Sequence, residues 1–149
     1  MLSSVKVGRG LAPAVAPVVV ELSEKGRIVE DQLLALQKRY EFVTIDKYVI
    51  MPTHLHVIVI LSGDAAGASP RPTLDAAGAS PRPTLSDVIC AFKSLTTRLC
   101  NKSDDVQGRK VWQTSFYDEV IRNDTAYLKI WEYIEDNPLK WLDDIYFAL

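Results

Sequence analysis

His54 and His56 are the chain's only histidines, and they stand one residue apart in the apolar run Tyr48-Val49-Ile50-Met51-Pro52-Thr53-His54-Leu55-His56-Val57-Ile58-Val59-Ile60. Side chains alternate faces along a strand, so both imidazoles point one way and Leu55 the other. Two adjacent imidazoles make roughly half of a protein metal site. The same pair could instead serve as plain polar residues facing solvent at a hairpin mouth. The preceding Pro52-Thr53 reads as a turn that opens this strand beside another, Phe42 to Met51.

A divalent ion on the two imidazoles needs further ligands from elsewhere in the fold. Candidates lie on the last helix, Tyr127-Leu128-Lys129-Ile130-Trp131-Glu132-Tyr133-Ile134-Glu135-Asp136-Asn137. Tyr127, Ile130, Trp131 and Ile134 form its apolar stripe, with Tyr133 on the flank of that stripe. Asn137 projects from the same side one turn later. A phenol and an amide oxygen can therefore face one ion together. Each also has a structural reading: a boundary tyrosine packs its ring and wets its hydroxyl, and Asn137 ends a helix before Pro138.

The elements that must position these groups follow from apolar spacing. Gly8 to Pro17 reads as a loop and Val18 to Leu22 as a short strand. Ile28 to Tyr40 is an amphipathic helix with Leu33, Leu34 and Leu36 on its apolar side. The hairpin strands Phe42 to Met51 and His54 to Leu61 come next, and the second, apolar on both faces beyond His56, is expected to be central in a sheet. Ser86 is expected to cap a helix reaching about Cys100, with Val88, Ile89, Phe92, Leu95 and Leu99 buried. Val111 to Ile121 contains a β-rich piece in which Phe116 and Tyr117 read as a buried strand pair. Asn123 or Asp124 caps the final helix, which Pro138 is expected to stop at Asn137. This order predicts an α+β fold, helices packed on an antiparallel sheet in a broadly ferredoxin-like arrangement.

The whole chain, residues 1–149, reads as one domain carrying an insert. Asp64 to Leu74 is repeated without change as Asp75 to Leu85. A packed solenoid needs at least three units and stacking apolar positions, so residues 64–85 are expected to be a mobile, dispensable duplicated loop. No apolar run approaches the roughly 20 residues that span a membrane, and the start lacks a secretion pattern, so a cytoplasmic location without membrane contact is the expectation. Cys90 and Cys100 fall too far apart along one helix to be bridged and read as small packing residues.

A net charge of -2 is low for a nucleic-acid partner, but the charges segregate. Lys93, Arg98, Lys102, Arg109, Lys110 and Arg122 crowd one segment, against Asp104, Asp105, Asp118 and Glu119, whereas Glu135, Asp136, Asp143 and Asp144 load the end. Asp118 and Glu119 either organise a site or face solvent.

Three blocks, taken together, resemble the REP-associated tyrosine transposases, which belong to the single-tyrosine HUH (histidine, hydrophobic, histidine) transposases. They are Val49-Ile50-Met51-Pro52 with His54-Leu55-His56, the stretch Val111-Trp112-Gln113-Thr114-Ser115-Phe116-Tyr117-Asp118-Glu119-Val120-Ile121-Arg122-Asn123, and Trp131-Glu132-Tyr133-Ile134-Glu135-Asp136-Asn137-Pro138. Their order and spacing match over roughly Gly26 to Tyr146. The resemblance implies metal-dependent cleavage and strand transfer on single-stranded or hairpin DNA, an HUH endonuclease architecture and a homodimer. By that analogy His54, His56 and Asn137 hold Mg²⁺ or Mn²⁺, and Tyr133 is the nucleophile that forms a 5′-phosphotyrosine. Phe116, Tyr117 and Arg122 become possible DNA contacts. The chain departs from the pattern at its start, where Met1 to Val20 offers no clear equivalent of the family's leading strand. A domesticated relative that binds hairpin DNA or RNA without cutting it is the alternative, as is a phosphodiesterase that activates water.

Overall fold

The structure is a computed structural model that describes residues 1–7, 18–63 and 83–147, with side chains at the element edges 6–7, 18–19 and 142–147 left aside. The expected loop Gly8 to Pro17 and most of the duplicated insert, residues 64–82, lie outside the described residues. The architecture is α+β. Strand β1 (Ser3–Val7) pairs antiparallel with β2 (Val18–Leu22), followed by helix α1 (Glu24–Arg39). Strands β3 (Val43–Ile50) and β4 (Leu55–Leu61) form the second antiparallel pair, and helices α2 (Leu85–Ser103) and α3 (Asp124–Phe147) complete the order.

Helix α1 buries Val29, Leu33 and Leu36 against Val43, Ile45 and Ile50 of β3, and Val88 and Phe92 of α2 close the same core. The hairpin strands keep their register by a single irregularity. Ile50 lies opposite Leu55 and Tyr48 opposite Val57, but Ile45 lies opposite Val59 and Lys47 opposite Ile58, which leaves Asp46 as the extra residue. Without that bulge, strict alternation would turn Ile45 and Val43 away from α1. With it, Val43, Ile45, Tyr48 and Ile50 all serve the α1 face, while Lys47 and Val49 join His56 and Ile58 on the opposite face. Tyr48 further ties the strand to α1 by donating to Glu30 at 2.7 Å. Burial and that carboxylate push its hydroxyl up to about 12.

Helix α3 lies across the face that carries His56. Tyr127 donates to the bulged Asp46 carboxylate at 2.5 Å, and the Lys47 ammonium pairs with Glu135 while resting 4.0 Å from the Trp131 ring centre. The helix thus runs along β3 in the same direction, from Asp46 toward the β3–β4 turn. Pro138 does not end it. The helix continues to Phe147 with Pro138 inside and buried, so the expected stop at Asn137 is corrected. A proline removes one ladder bond and crowds the preceding turn, but turns packed on both sides of it can hold the helix together.

Four further expectations change. Thr84, not Ser86, caps α2, through a reciprocal pair of bonds with Asp87, so the last two residues of the second repeat copy belong to a helix start. Among the described residues β4 pairs only with β3 and is an edge strand, with Ile60 46% exposed. The β-rich piece Ser115 to Ile121 forms no strand, and the buried pair expected at Phe116-Tyr117 is not buried: Tyr117 is 89% exposed. Lys93 takes the carbonyls of Gln113 and Ser115 at 2.9 and 3.1 Å, which removes ladder acceptors from this stretch. Finally, β1 forms at Ser3–Val7, where no strand was expected, and among the described residues it pairs with β2 and not with the β3–β4 hairpin.

The stretch between α2 and α3 is anchored by Trp112, whose indole N–H donates to the fully buried Thr96 hydroxyl at 2.8 Å as its ring packs on Phe92. Thr96→Val keeps the shape and strands that N–H. A loss of about 1–2 kcal/mol is expected, read as a lower Tm together with a red-shifted tryptophan emission.

Candidate active site

The turn from β3 to β4 sets the site. The Met51 amide donates to the His54 carbonyl at 2.8 Å, closing a tight connection in which Met51 is fully buried. Leu2 reaches the same turn, its amide donating to the Pro52 carbonyl at 3.0 Å, and Ser3 Oγ donates to the Ile50 carbonyl at 2.7 Å. The histidine strand therefore starts from a fixed backbone. His54 and His56 then lie on one face, ring centres 4.8 Å apart and edge to face.

Helix α3 brings the other two candidates to that face. The Tyr133 ring centre stands 5.3 Å from that of His56, at 80°. These residues are separated by about half of the chain, and no local spacing forces their meeting. Tyr133 is 47% exposed. Asn137 is 7% exposed and sits one turn beyond Tyr133 and one turn before Trp141, whose ring centre is 5.9 Å from that of His54. Three sequence candidates form a chain of ring contacts, His54 on His56 and His56 on Tyr133, and Asn137 is on the helix turn between the two aromatic residues that touch the histidines.

The electrostatics suit ligation. Burial, and then the neighbouring His54, hold the His56 imidazole below its ordinary range, which favours the neutral ring that a metal binds. Two imidazoles alone would also accept zinc or nickel, and Mg²⁺ or Mn²⁺ would need oxygens from Asn137, water and phosphate to complete the shell; no group of three or more His, Cys, Asp or Glu is gathered among the described residues. Lys140, which sequence reading passed over, places its ammonium 4.8 Å from the Tyr133 ring centre. Thr53 and Trp141 were missed as well, although a hydroxyl beside His54 and an indole two turns beyond Tyr133 are both visible in the sequence.

Part of the basic segment is engaged in local pairs. Arg109 pairs with Asp104, Lys25 binds that same carboxylate at 2.7 Å, and Lys110 donates to Thr114 at 2.8 Å. Asp118, Glu119 and Arg122 are exposed.

An uncharacterized protein of Haemophilus influenzae is 30% identical over 129 residues, covering 84% of this chain and 71% of that protein. The chain belongs to that protein's family. No family model matches it, and no solved structure does. Among the described residues, no helix is long and apolar enough to cross a membrane.

Proposed function

We propose that the chain is a metal-dependent tyrosine transferase of HUH type, acting on single-stranded or hairpin DNA. The observation that carries this reading is the meeting of Tyr133 on α3 with His56 on β4, whose ring in turn meets that of His54. His54, His56 and Asn137 would hold Mg²⁺ or Mn²⁺, which supplies charge stabilisation at the scissile phosphate. Tyr133 supplies the nucleophile. Its oxygen attacks phosphorus and loses its proton, and the bond to the 3′-oxygen breaks. That oxygen takes up a proton, leaving a free 3′-hydroxyl on one fragment and a 5′-phosphotyrosine on the other. The phosphodiester energy is retained in the new ester, so a second 3′-hydroxyl can reverse the step without a nucleotide cofactor. Half exposure of the Tyr133 residue and burial of Met51 and Pro52 in the turn before the histidines divide the labour: a rigid base and an open mouth. Pairing of two copies to hold two DNA ends belongs to the same proposal, and gel filtration showing only monomer with and without DNA would remove it.

The test is direct. Purified protein with Mn²⁺ and a pool of 3′-labelled single-stranded hairpin oligonucleotides, randomised in loop and flanks, should give a covalent labelled species that protease destroys. Chelation by EDTA and His56→Ala should each abolish it. Cleavage without that species would favour the water-activating phosphodiesterase, and binding without cleavage the non-catalytic relative.

A further inference from the structure

We infer that Thr53 and Trp141 are positioning residues that hold His54 with Nδ1 protonated and Nε2 carrying the free lone pair. Thr53 Oγ1 lies 3.1 Å from His54 Nδ1, and this hydroxyl is on the residue immediately before the histidine, at the end of the turn fixed by Met51 and Pro52. A threonine hydroxyl both donates and accepts, so the contact alone allows either tautomer. Ligation of a metal through Nε2 is what selects the Nδ1–H form, and the surroundings fix which nitrogen faces Thr53. Trp141 packs on the ring at 5.9 Å between centres and His56 meets it at 4.8 Å, so the imidazole is bounded by its two aromatic neighbours and by Thr53. A ring held in that way keeps Nε2 on the side opposite Thr53.

The proposed metal role rests on the reading above and adds to it a physical requirement. A ligating histidine normally donates its second N–H to an oxygen, which fixes the tautomer and raises the basicity of the ligating nitrogen. Thr53 is the oxygen placed to receive that proton, and Trp141 limits rotation of the ring out of line. Trp141 can do so only because α3 continues through Pro138, since a helix ending at Asn137 would leave the indole without a defined place. The helix extension that sequence reading excluded is therefore part of the site.

Long-range proton–nitrogen correlation spectra of the ¹⁵N-histidine-labelled, metal-free chain read the tautomer without any activity. The expected result is His54 in the Nδ1–H form, a mixture of both forms in Thr53→Val, and a return to the Nδ1–H form in Thr53→Ser. Thr53 is exposed, so these variants fold as the parent does, and Trp141→Leu should broaden the His54 signals while leaving those of His56 sharp. Mn²⁺ titration then reads the second half: Thr53→Val should weaken binding about tenfold, and Thr53→Ser should not. An Nε2–H tautomer in the parent chain, or one unchanged by Thr53→Val, overturns the positioning role. Should the tautomer follow Thr53 while Mn²⁺ fails to touch His54 or His56, the metal-binding reading falls and the tautomer assignment stands.

Discussion

Tyr133→Phe should erase the covalent protein–DNA species and slow strand transfer by about a thousandfold or more, while hairpin binding stays within about twofold. The substitution removes one oxygen and little else. The phenylalanine ring keeps the edge-to-face contact with His56 and the Lys140 ammonium above it, so α3 remains seated on the hairpin. Because the residue is half exposed, no buried hydrogen bond is lost with the hydroxyl. His56→Ala provides the contrast: it should also stop the reaction, but it should lower Mn²⁺ affinity, which Tyr133→Phe should leave unchanged. Gel quantification of the labelled adduct, fluorescence anisotropy for binding and Mn²⁺ titration separate the two. Undiminished cleavage by Tyr133→Phe would assign the nucleophile to water.

Gly26→Ala should destabilise the chain by about 3 kcal/mol or more, against the usual sign of this change. In a helix, alanine is ordinarily better than glycine by about 1 kcal/mol. Gly26 is in the first turn of α1, where its amide donates to the capping Ser23 hydroxyl at 3.1 Å. A Cβ placed there would stand 1.8 Å from the Leu2 carbonyl oxygen and 2.9 Å from its carbon. Both are backbone atoms and cannot swing aside. The same Leu2 carbonyl accepts from the Ser23 amide at 3.0 Å and from the Ser23 hydroxyl at 2.8 Å, so it is fixed where the methyl must go. Chemical denaturation should show a lower midpoint. The effect should extend to the site, because the Leu2 amide is what the Pro52 carbonyl accepts at the turn before His54. A stability equal to or above that of the parent would show that Leu2 is not held against α1.

The histidine face was legible because it needs only the period of two along a strand and a turn to start it. The α1 core was legible for the same kind of reason, since Leu33 and Leu36 recur at helical spacing and are buried where that spacing puts them. Tyr133 could be placed on a helix flank, but that the flank faces His56 is a tertiary fact set by which side of the hairpin α3 covers. The bulge at Asp46 was invisible, because nothing in Ile45-Asp46-Lys47 marks an extra residue until Val43 and Ile45 must join Ile50 on one face. Strand β1 was missed since Ser3 to Val7 has little apolar content of its own and gains its definition from pairing with β2. At Pro138 the helix runs on despite a local steric rule, with Ile134 and Asn137 buried before the proline and Trp141 against His54 after it. At Ser115 to Ile121 β-propensity lost to the absence of a ladder partner and to Lys93 on two of the nearby carbonyls.

The most direct test of a covalent role for Tyr133 is the site of attachment. Nuclease trimming of the protein–DNA species followed by trypsin and mass spectrometry should place a nucleotide phosphate on the peptide Ile130–Lys140, in which Tyr133 is the single tyrosine. The same modification on the peptide carrying Tyr127 or Tyr117, or cut DNA with no modified tyrosine, would contradict it.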